Sequence, residues 1–421
     1  MKFWIVTIYE PLPFGDRRTR PQRCGMLAKA LLDRGHDVEL WTSTFDHISH
    51  TQLHDRSLFV NAGERISIQF IKGCGYPDDH SLKRFLHNRQ TGREFNNLSG
   101  RRKERPDIIF APVPVLELAE AAVKYADKQK IPVIVDVRDL WPDIYLTIIP
   151  KRLHFLAKKL LYSEYKRARF VFKKATGITA ISNTYLHKGL SYAGRCIRDT
   201  DHVFPLGSGE IINSISQRSN TTSDPIYRQI SMVKNKFVVT FVGTFSKFLD
   251  VQAILEAAKL LTSKPNVHIF IIGTGSRSQE YLKIASRLPN VTMTGWLNST
   301  DISSILKITK VGLVAYSEDA IMSLPNKPFE YMAAGLPILS SLPGELAELI
   351  QVYNIGRNYN AGDPVSLSRE IQWFYEHPIE TKKMGENSMK LFWGKYRSDI
   401  IYTEFSEHLE RIVNRYDERS S

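Results

Sequence analysis

Short apolar runs alternate with helix-period stretches along almost the whole chain, and the alternation stops once and then restarts. The first series of runs lies at 2–8, 38–41, 66–71, 108–111, 133–137 and 178–180, with helical patterns between them, such as 21–34 closed by Gly35. Strands separated by helices cannot pair as hairpins; they pair in parallel through right-handed crossovers. Residues 208–235, SGEIINSISQRSNTTSDPIYRQISMVKN, are rich in Ser, Asn and Thr with no sustained apolar period, and read as a linker. The series then resumes at 237–242, 267–272, 291–293, 311–315 and 337–340. A chain of 421 residues exceeds what one ordinary core supports. The expectation is an α/β protein of two Rossmann-like, doubly wound domains, 1–207 and 236–394. A segment 395–421 follows, containing a tail helix over 395–416. In that helix Ile400, Ile401, Phe405, Leu409 and Ile412 make one apolar stripe, which needs a surface to cover, with the first domain as the candidate. Two such domains present ligand-facing edges at the carboxyl ends of their strands, across a cleft.

Charge narrows the partners. The formal net charge of +13 favours polyanions, anionic lipid or phosphorylated substrates. Two segments concentrate it: residues 83–105 carry eight Lys or Arg against Glu94 and Glu104, and residues 151–174 carry nine against Glu164. The second segment also holds Leu153, Leu156, Leu160, Leu161, Phe170 and Phe172, so it reads as a basic amphipathic helix, with Lys158 and Lys159 among its cations. Such a helix can lie on an anionic membrane, or its apolar side can simply be core. No helix-turn-helix, aromatic RNA-binding pattern or zinc-finger spacing supports nucleic acid. Cys24, Cys74 and Cys196 show no paired spacing, which fits a reducing cytoplasm. The opening apolar run is too short for a signal peptide, and no stretch approaches the roughly 20 apolar residues of a membrane span. A cytoplasmic protein, peripheral on the inner face of a membrane, is expected.

The chemistry-bearing residues sit after the strands. SLPNKPFEYMAAGLPILSS, residues 323–341, reads as a Pro-bounded turn and a short helix stopped by Gly335. Glu330 falls in its first turn, where a carboxylate can accept two hydrogen bonds from vicinal ribose hydroxyls; a plain N-terminal helix charge is the alternative. Lys327 would put a cation beside it. Upstream, FVVTFVGTFSK ends a strand in a turn with Gly243, Thr244 and Lys247, whose amides and ammonium could meet phosphate oxygens. HIFIIGTGS repeats the arrangement with Gly273 and Gly275; the third glycine of a dinucleotide fingerprint is missing, which argues against NAD. In the first domain Gly15 follows the first strand, either as a phosphate-approach position or as an ordinary turn. Arg17, Arg18, Arg20 and Arg23 come next; one or more could contact an acceptor phosphate, and a solvated helix start is the alternative for the rest. DVRDLWPD puts Arg138 and Asp139 at a strand's carboxyl end. There they could stabilise a leaving diphosphate and orient or deprotonate an acceptor hydroxyl, or form an internal ion pair. No carboxylate pair or His and Asp cluster has metal-ligand spacing, so no metal or other cofactor is expected.

The stretch NVTMTGWLNSTDISSILKITKVGLVAYSEDAIMSLPNKPFEYMAAGLPILSS resembles the donor-binding half of the retaining family 4 (GT4) glycosyltransferases, particularly the bacterial branch that builds O-antigen and capsular polysaccharide. GHDVELWTS, RPDIIFAPVPVLELAEAAVKYADKQKIPVIVDVRDLWPD, TGITAISNTY and VFPLG follow that family's order, and the similarity spans roughly residues 1–395. The resemblance implies the GT-B fold. It also implies a nucleotide-sugar co-substrate, such as a UDP-sugar, and a lipid-linked or oligosaccharide acceptor, with retention of configuration. It assigns the ribose contact to Glu330 and phosphate contacts to Lys247 and Gly15. Two positions depart from the family pattern. Met322 stands where the first of two motif glutamates is expected, which shifts sugar recognition toward the backbone of Ser323 and Leu324. Thr244 stands where an arginine is usual, for which Lys327 could compensate. A sugar-nucleotide epimerase on the same frame and a noncatalytic nucleotide-sugar-binding protein are the competing readings.

Overall fold

The computed structural model describes residues 1–12, 21–78, 81–208 and 225–420. They form two compact units, Met1–Pro205 together with Asp399–Ser421, and Leu206–Ser398.

The first unit is built on β1 (Lys2–Val6), β2 (Asp37–Ser43), β5 (Leu58–Asn61), β6 (Ile66–Ile71), β7 (Ile108–Val113), β8 (Val133–Val137), β9 (Gly177–Ala180) and β10 (His202–Val203). Their order in the sheet is β10-β9-β8-β7-β1-β2-β6-β5. Every pair is parallel except β5 with β6. Central strands such as β7 (IIFAPV) are buried throughout, as expected of strands covered on both faces. The antiparallel edge strand β5, LFVN, alternates between half-buried and exposed residues, too weak a pattern to register as a run in the sequence. A separate ribbon, β3 (Phe45–Asp46) with β4 (Thr51–Gln52), also escaped the apolar-run reading.

Helices α1 (Arg23–Asp33), α2 (Leu82–Ser99), α3 (Leu116–Gln129), α4 (His154–Leu160), α5 (Tyr162–Lys174) and α6 (Asn183–Ala193) connect these strands. Trp4 and Trp41 meet on adjacent strands with ring centroids 4.6 Å apart. They are covered by Phe95 of α2, 4.7 Å from Trp41, and by Tyr125 of α3, 5.3 Å from Trp4.

The tail helix Ser398–Ser420 completes this unit. It begins after a π-helical turn, Phe392–Tyr396, so its start lies past the expected Lys395. Ile401, Phe405, Leu409 and Ile412 of the stripe are buried and Ile400 is half-buried. Phe405 stacks on Phe204 at 4.1 Å and meets the edge of Phe110 at 5.5 Å. Glu410 accepts from Arg34 at 2.5 and 2.9 Å and lies 2.7 Å from His36.

The second unit orders its all-parallel sheet β13-β12-β11-β14-β15-β16. Its strands are β11 (Phe237–Val242), β12 (Val267–Ile272), β13 (Val291–Gly295), β14 (Thr309–Val314), β15 (Ile338–Ser340) and β16 (Gly356–Asn358). The order reverses between β11 and β14, the switch point at which open α/β sheets bind ligands beyond the strands' carboxyl ends. Of the segment expected as a linker, residues 209–224 lie outside the described residues. Pro225–Val233 is a helix instead, and Ile226, Ile230 and Val233 pack it into the second unit's core. Three apolar residues in polar surroundings were too few to show a period.

Replacing Phe405 by Ala removes a fully buried ring from four aromatic and cationic contacts and should destabilise the first unit by about 3–5 kcal/mol. Denaturant unfolding monitored by limited proteolysis of the tail checks this. The hydrogen bond from Arg34 outweighs partial burial and, with His36, lowers the Glu410 carboxyl to about 2. The tail's docking energy is therefore present above the ordinary carboxylate range and should be lost as pH falls from about 4.5 toward 2, an effect absent in Glu410→Gln.

Candidate functional site

In the second unit the loops following β11, β12, β14 and β15 are tied together at the carboxyl edge. The amide of Gly243 donates to Ile272 O at 3.0 Å and that of Phe245 to Thr274 O at 2.8 Å. This approach requires glycine. Gly273, at φ +142°, would drive a Cβ into the carbonyl oxygen of Gly243, and a Cβ on Gly275 would meet that of Phe245. Loop contact thus accounts for both glycines. On the other side Ser317 N donates to Phe248 O at 2.9 Å, and the Ser341 hydroxyl bridges Tyr316 N and Tyr316 O at 2.7 and 2.8 Å. Thr244 and Lys247 project from the first loop and are exposed, with Lys247 Nζ 4.8 Å from the Phe248 ring.

The helix Lys327–Ala333 lies beside these loops. Tyr331, fully buried, accepts from Val242 N at 3.0 Å and donates to Leu313 O at 3.3 Å, pinning the helix to the ends of β11 and β14. Gly312 leaves space for that ring, since a Cβ there would overlap it. Glu330 is held next to this anchor at 7% exposure, and its carboxylate accepts from Lys327 Nζ at 2.6 Å. Lys327 thus shares its charge with Glu330 in this structure. Ser323 Oγ donates to Glu345 at 2.9 Å, Leu324 is buried, and Met322 packs against the apolar core. A shielded carboxylate such as Glu330 can accept hydroxyl hydrogen bonds, and an exposed lysine such as Lys247 can take phosphate.

In the first unit the sheet order reverses between β1 and β7. Glu10, just past β1, pairs with Arg138, just past β8, and its other oxygen accepts from Cys24 N at 2.8 Å. Burial works against the Arg138 charge, but the Glu10 carboxylate holds it above its ordinary range. Arg138 is thus committed to Glu10, not to Asp139. Half-buried Asp139 is pushed up to about 6 by burial, with Arg138 and Arg84 pulling the other way. Arg84 of α2 donates to Tyr9 Oη at 2.9 Å, and its guanidinium carbon lies 5.8 Å from the Trp141 ring, tying together the loops after β1 and β8.

Arg23 requires a correction. It is fully buried, donating to Asp136 at 2.7 and 2.8 Å and to Phe204 O at 2.7 Å, and so cannot meet an acceptor. Gly15, Arg17, Arg18 and Arg20 lie outside the described residues. Glu10, Asp136 and Arg84 were missed; an acid immediately after the first strand, as in YEP, was the available signal for Glu10.

The basic segment 151–174 is not one helix. A short 3-10 turn, α4 and α5 divide it near Leu161. Phe172 of α5 is core, whereas Phe155, Leu156 and Leu160 of α4 are 69%, 56% and 85% exposed beside exposed Lys158 and Lys159. Among the described residues no helix is long and apolar enough to cross a membrane, and no group of His, Cys, Asp or Glu could hold a metal ion.

Two doubly wound α/β units with switch points of this kind define the GT-B class of fold. The model of the family Glycosyl transferases group 1 matches residues 223–391, most of the second unit. The chain is 26% identical over 299 residues to TuaH of Bacillus subtilis (strain 168), a glycosyltransferase assigned to teichuronic acid biosynthesis, covering 68% of this chain and 66% of that protein. It is 24% identical over 232 residues to the chitobiosyldiphosphodolichol beta-mannosyltransferase of Yarrowia lipolytica (strain CLIB 122 / E 150), covering 53% and 46%. The chain thus spans between about half and two thirds of the length of these curated relatives. Its fold is that of Anabaena HepE crystallised with UDP, at a TM-score of 0.66 and 16% identity over 98% of this chain and 100% of that one.

Because burial raises the Asp139 carboxyl, the native state binds its proton more tightly than the unfolded chain does, and stability falls as pH rises from about 4 to 6. Asp139→Asn should therefore stabilise the first unit at pH 7, by up to about 3 kcal/mol, with the gain vanishing near pH 4. Melting temperatures of both proteins across that range check it.

Proposed function

We propose that the protein is a retaining glycosyltransferase of GT4 type. It moves a hexose or N-acetylhexosamine from a nucleoside-diphosphate sugar, a UDP-sugar by preference, to a polysaccharide or polyprenyl-diphosphate-linked acceptor of the O-antigen or capsule kind. The observation that carries this reading is the position of Glu330. The carboxylate is shielded and anchored through Tyr331 at the switch point of the second unit, beside the glycine-tight loops after β11 and β12. HepE has been crystallised with UDP-glucose, which supports the choice of nucleotide, and the Yarrowia relative is named for a lipid-diphosphate substrate.

In this reading Glu330 binds the ribose. Lys247, carried with Thr244 on the loop of Gly243 that Gly273 and Gly275 hold in place, neutralises the diphosphate as the anomeric bond breaks, without a metal or other cofactor. The backbone at Ser323 and Leu324 reads the sugar, with Met322 leaving no second carboxylate there. Asp139 orients the acceptor hydroxyl or takes its proton, and the Glu10–Arg138 pair fixes the loop that carries it. Attack from the face of the departing diphosphate gives retention. Lys158, Lys159 and the exposed apolar residues of α4 dock the protein on an anionic membrane surface, peripherally and on the cytoplasmic side, where a lipid-linked acceptor resides. The family resemblance assigns Gly15 to the donor phosphate, and Arg17 and Arg18, which follow it in the sequence, are placed by their charge at the acceptor phosphate.

Thermal melting with a panel of nucleotide sugars identifies the donor, since a ligand at about 100 times its Kd raises stability by about 2.7 kcal/mol. Turnover should require an acceptor, and Glu330→Ala and Lys247→Ala should each lower kcat/KM by about 100-fold or more with the fold intact. Turnover unchanged in both variants refutes the assignment. Donor binding without turnover on lipid-linked acceptors identifies a binding protein, the reading that Met322 favours, and acceptor-independent conversion of the donor identifies an epimerase.

A further inference from the structure

The two lysine- and arginine-rich segments, far apart in sequence, converge on either side of α3. Arg89 and Arg93 of α2, Glu117, Glu120 and Lys124 of α3, and Arg167 of α5 line one groove of about 290 Å³. Gly92 sets its floor: a Cβ there would come within 2.8 Å of Glu117 O, so α2 and α3 pack closely enough to leave a recess along their outer side.

The charges in the recess fall into two sets. Arg167 donates to Glu164 at 2.6 Å, to Glu120 at 2.8 Å and to Glu117 at 3.4 Å, while Lys124 donates to Glu120 at 2.7 Å. Every floor carboxylate therefore has a cationic donor. Arg89 and Arg93, exposed and one helical turn apart, have no hydrogen bond or ion pair among the described residues. Like charges at this spacing repel by about 0.2–0.5 kcal/mol. The three floor carboxylates against Arg167 and Lys124 leave one negative charge, and Arg89 acts on Glu117 through space, but no acid among the described residues bonds either guanidinium. An anion with several acceptor oxygens placed between two guanidinium groups would relieve that repulsion, through charge-assisted bonds to both. The groove lies at the bottom of the roughly 300–1,000 Å³ range of small-molecule sites, a fit for a phosphoryl group with a small substituent rather than a sugar nucleotide.

We propose that this groove is a second anion site, distinct from the donor site, in which Arg89 and Arg93 clasp a phosphoryl group beside Lys124. The same chemistry is offered by a phospholipid headgroup and by a soluble phosphate ester. The surroundings favour the headgroup. α2 opens with Leu82 and Leu86 at 80% and 58% exposure, and Phe85 stacks at 5.8 Å on Tyr145 in the connection leading to α4 with its exposed Phe155 and Leu160. Only that choice of source rests on the membrane reading above.

The full chain should be titrated with glycerol 3-phosphate, and separately with phosphatidylcholine vesicles with and without phosphatidylglycerol. Arg89→Gln/Arg93→Gln is compared with Arg101→Gln/Lys103→Gln, which removes the same charge from the same segment at exposed positions outside the groove. The groove pair should lose about tenfold or more in affinity for glycerol 3-phosphate, with the control pair unchanged, and should lose more than the control on the anionic vesicles. Loss on glycerol 3-phosphate but not on vesicles keeps the site and assigns it to soluble phosphate esters. Wild type failing to bind glycerol 3-phosphate, or both pairs losing equally, overturns the proposal. UDP-sugar turnover on a soluble acceptor should be unchanged in both pairs, so failure here and failure of the transferase reading are told apart.

Discussion

The first unit is organised by an ion pair with no access to water. Arg23, at the start of α1, meets Asp136 in β8 with both side chains fully buried, while Thr179 of β9 donates to the same carboxylate at 2.7 Å. Phe405 of the tail helix lies 5.0 Å beneath the guanidinium. Desolvating both charges offsets much of their attraction, so the pair contributes little net stability, but leaving either one alone would cost about 3–5 kcal/mol. Its effect is positional. One fork fixes α1 against two strands and the carbonyl of Phe204, and from that arrangement follow the Cys24 amide on Glu10, the Glu10–Arg138 pair and the loop bearing Asp139.

The second unit reaches a comparable definition by different means. Its edge is held by backbone approach, with glycines at 273 and 275 letting neighbouring loops exchange amide hydrogen bonds, and by a single buried phenol that ties Glu330's helix to two strands. The cost of ordering the loops is already met on folding, which is the condition for fixed dipoles to act on a developing charge. The first unit's edge is charged and partly buried instead, and there a carboxyl titrates close to neutrality.

The alternation of apolar runs was enough to read the parallel α/β class, the strand succession and the stripe on the tail helix, because those follow from periodicity alone. Pairings between distant residues were not legible. Arg23 looked like one more cation in a basic stretch, since nothing local marks Asp136 as its partner. Lys327 beside Glu330 was legible as a spacing, but not that the i, i+3 neighbour holds its ammonium. Edge elements such as β5 fell below detection for want of burial on both faces. The basic segment 151–174 was half legible: its exposed Leu160 and its core Phe172 differ only in which helix of a broken pair carries them.

The tail helix has a consequence for how the molecule comes into being. Phe110 and Phe204 emerge from the ribosome long before Phe405, which covers both, whereas every strand of the second sheet is made in the interval. At synthesis rates of about 5–20 residues per second, the earlier-made unit waits roughly ten seconds or more with an uncovered aromatic surface. The order of completion is thus the reverse of the order of translation: the later half closes its core first, and the earlier half becomes whole only when the tail helix arrives.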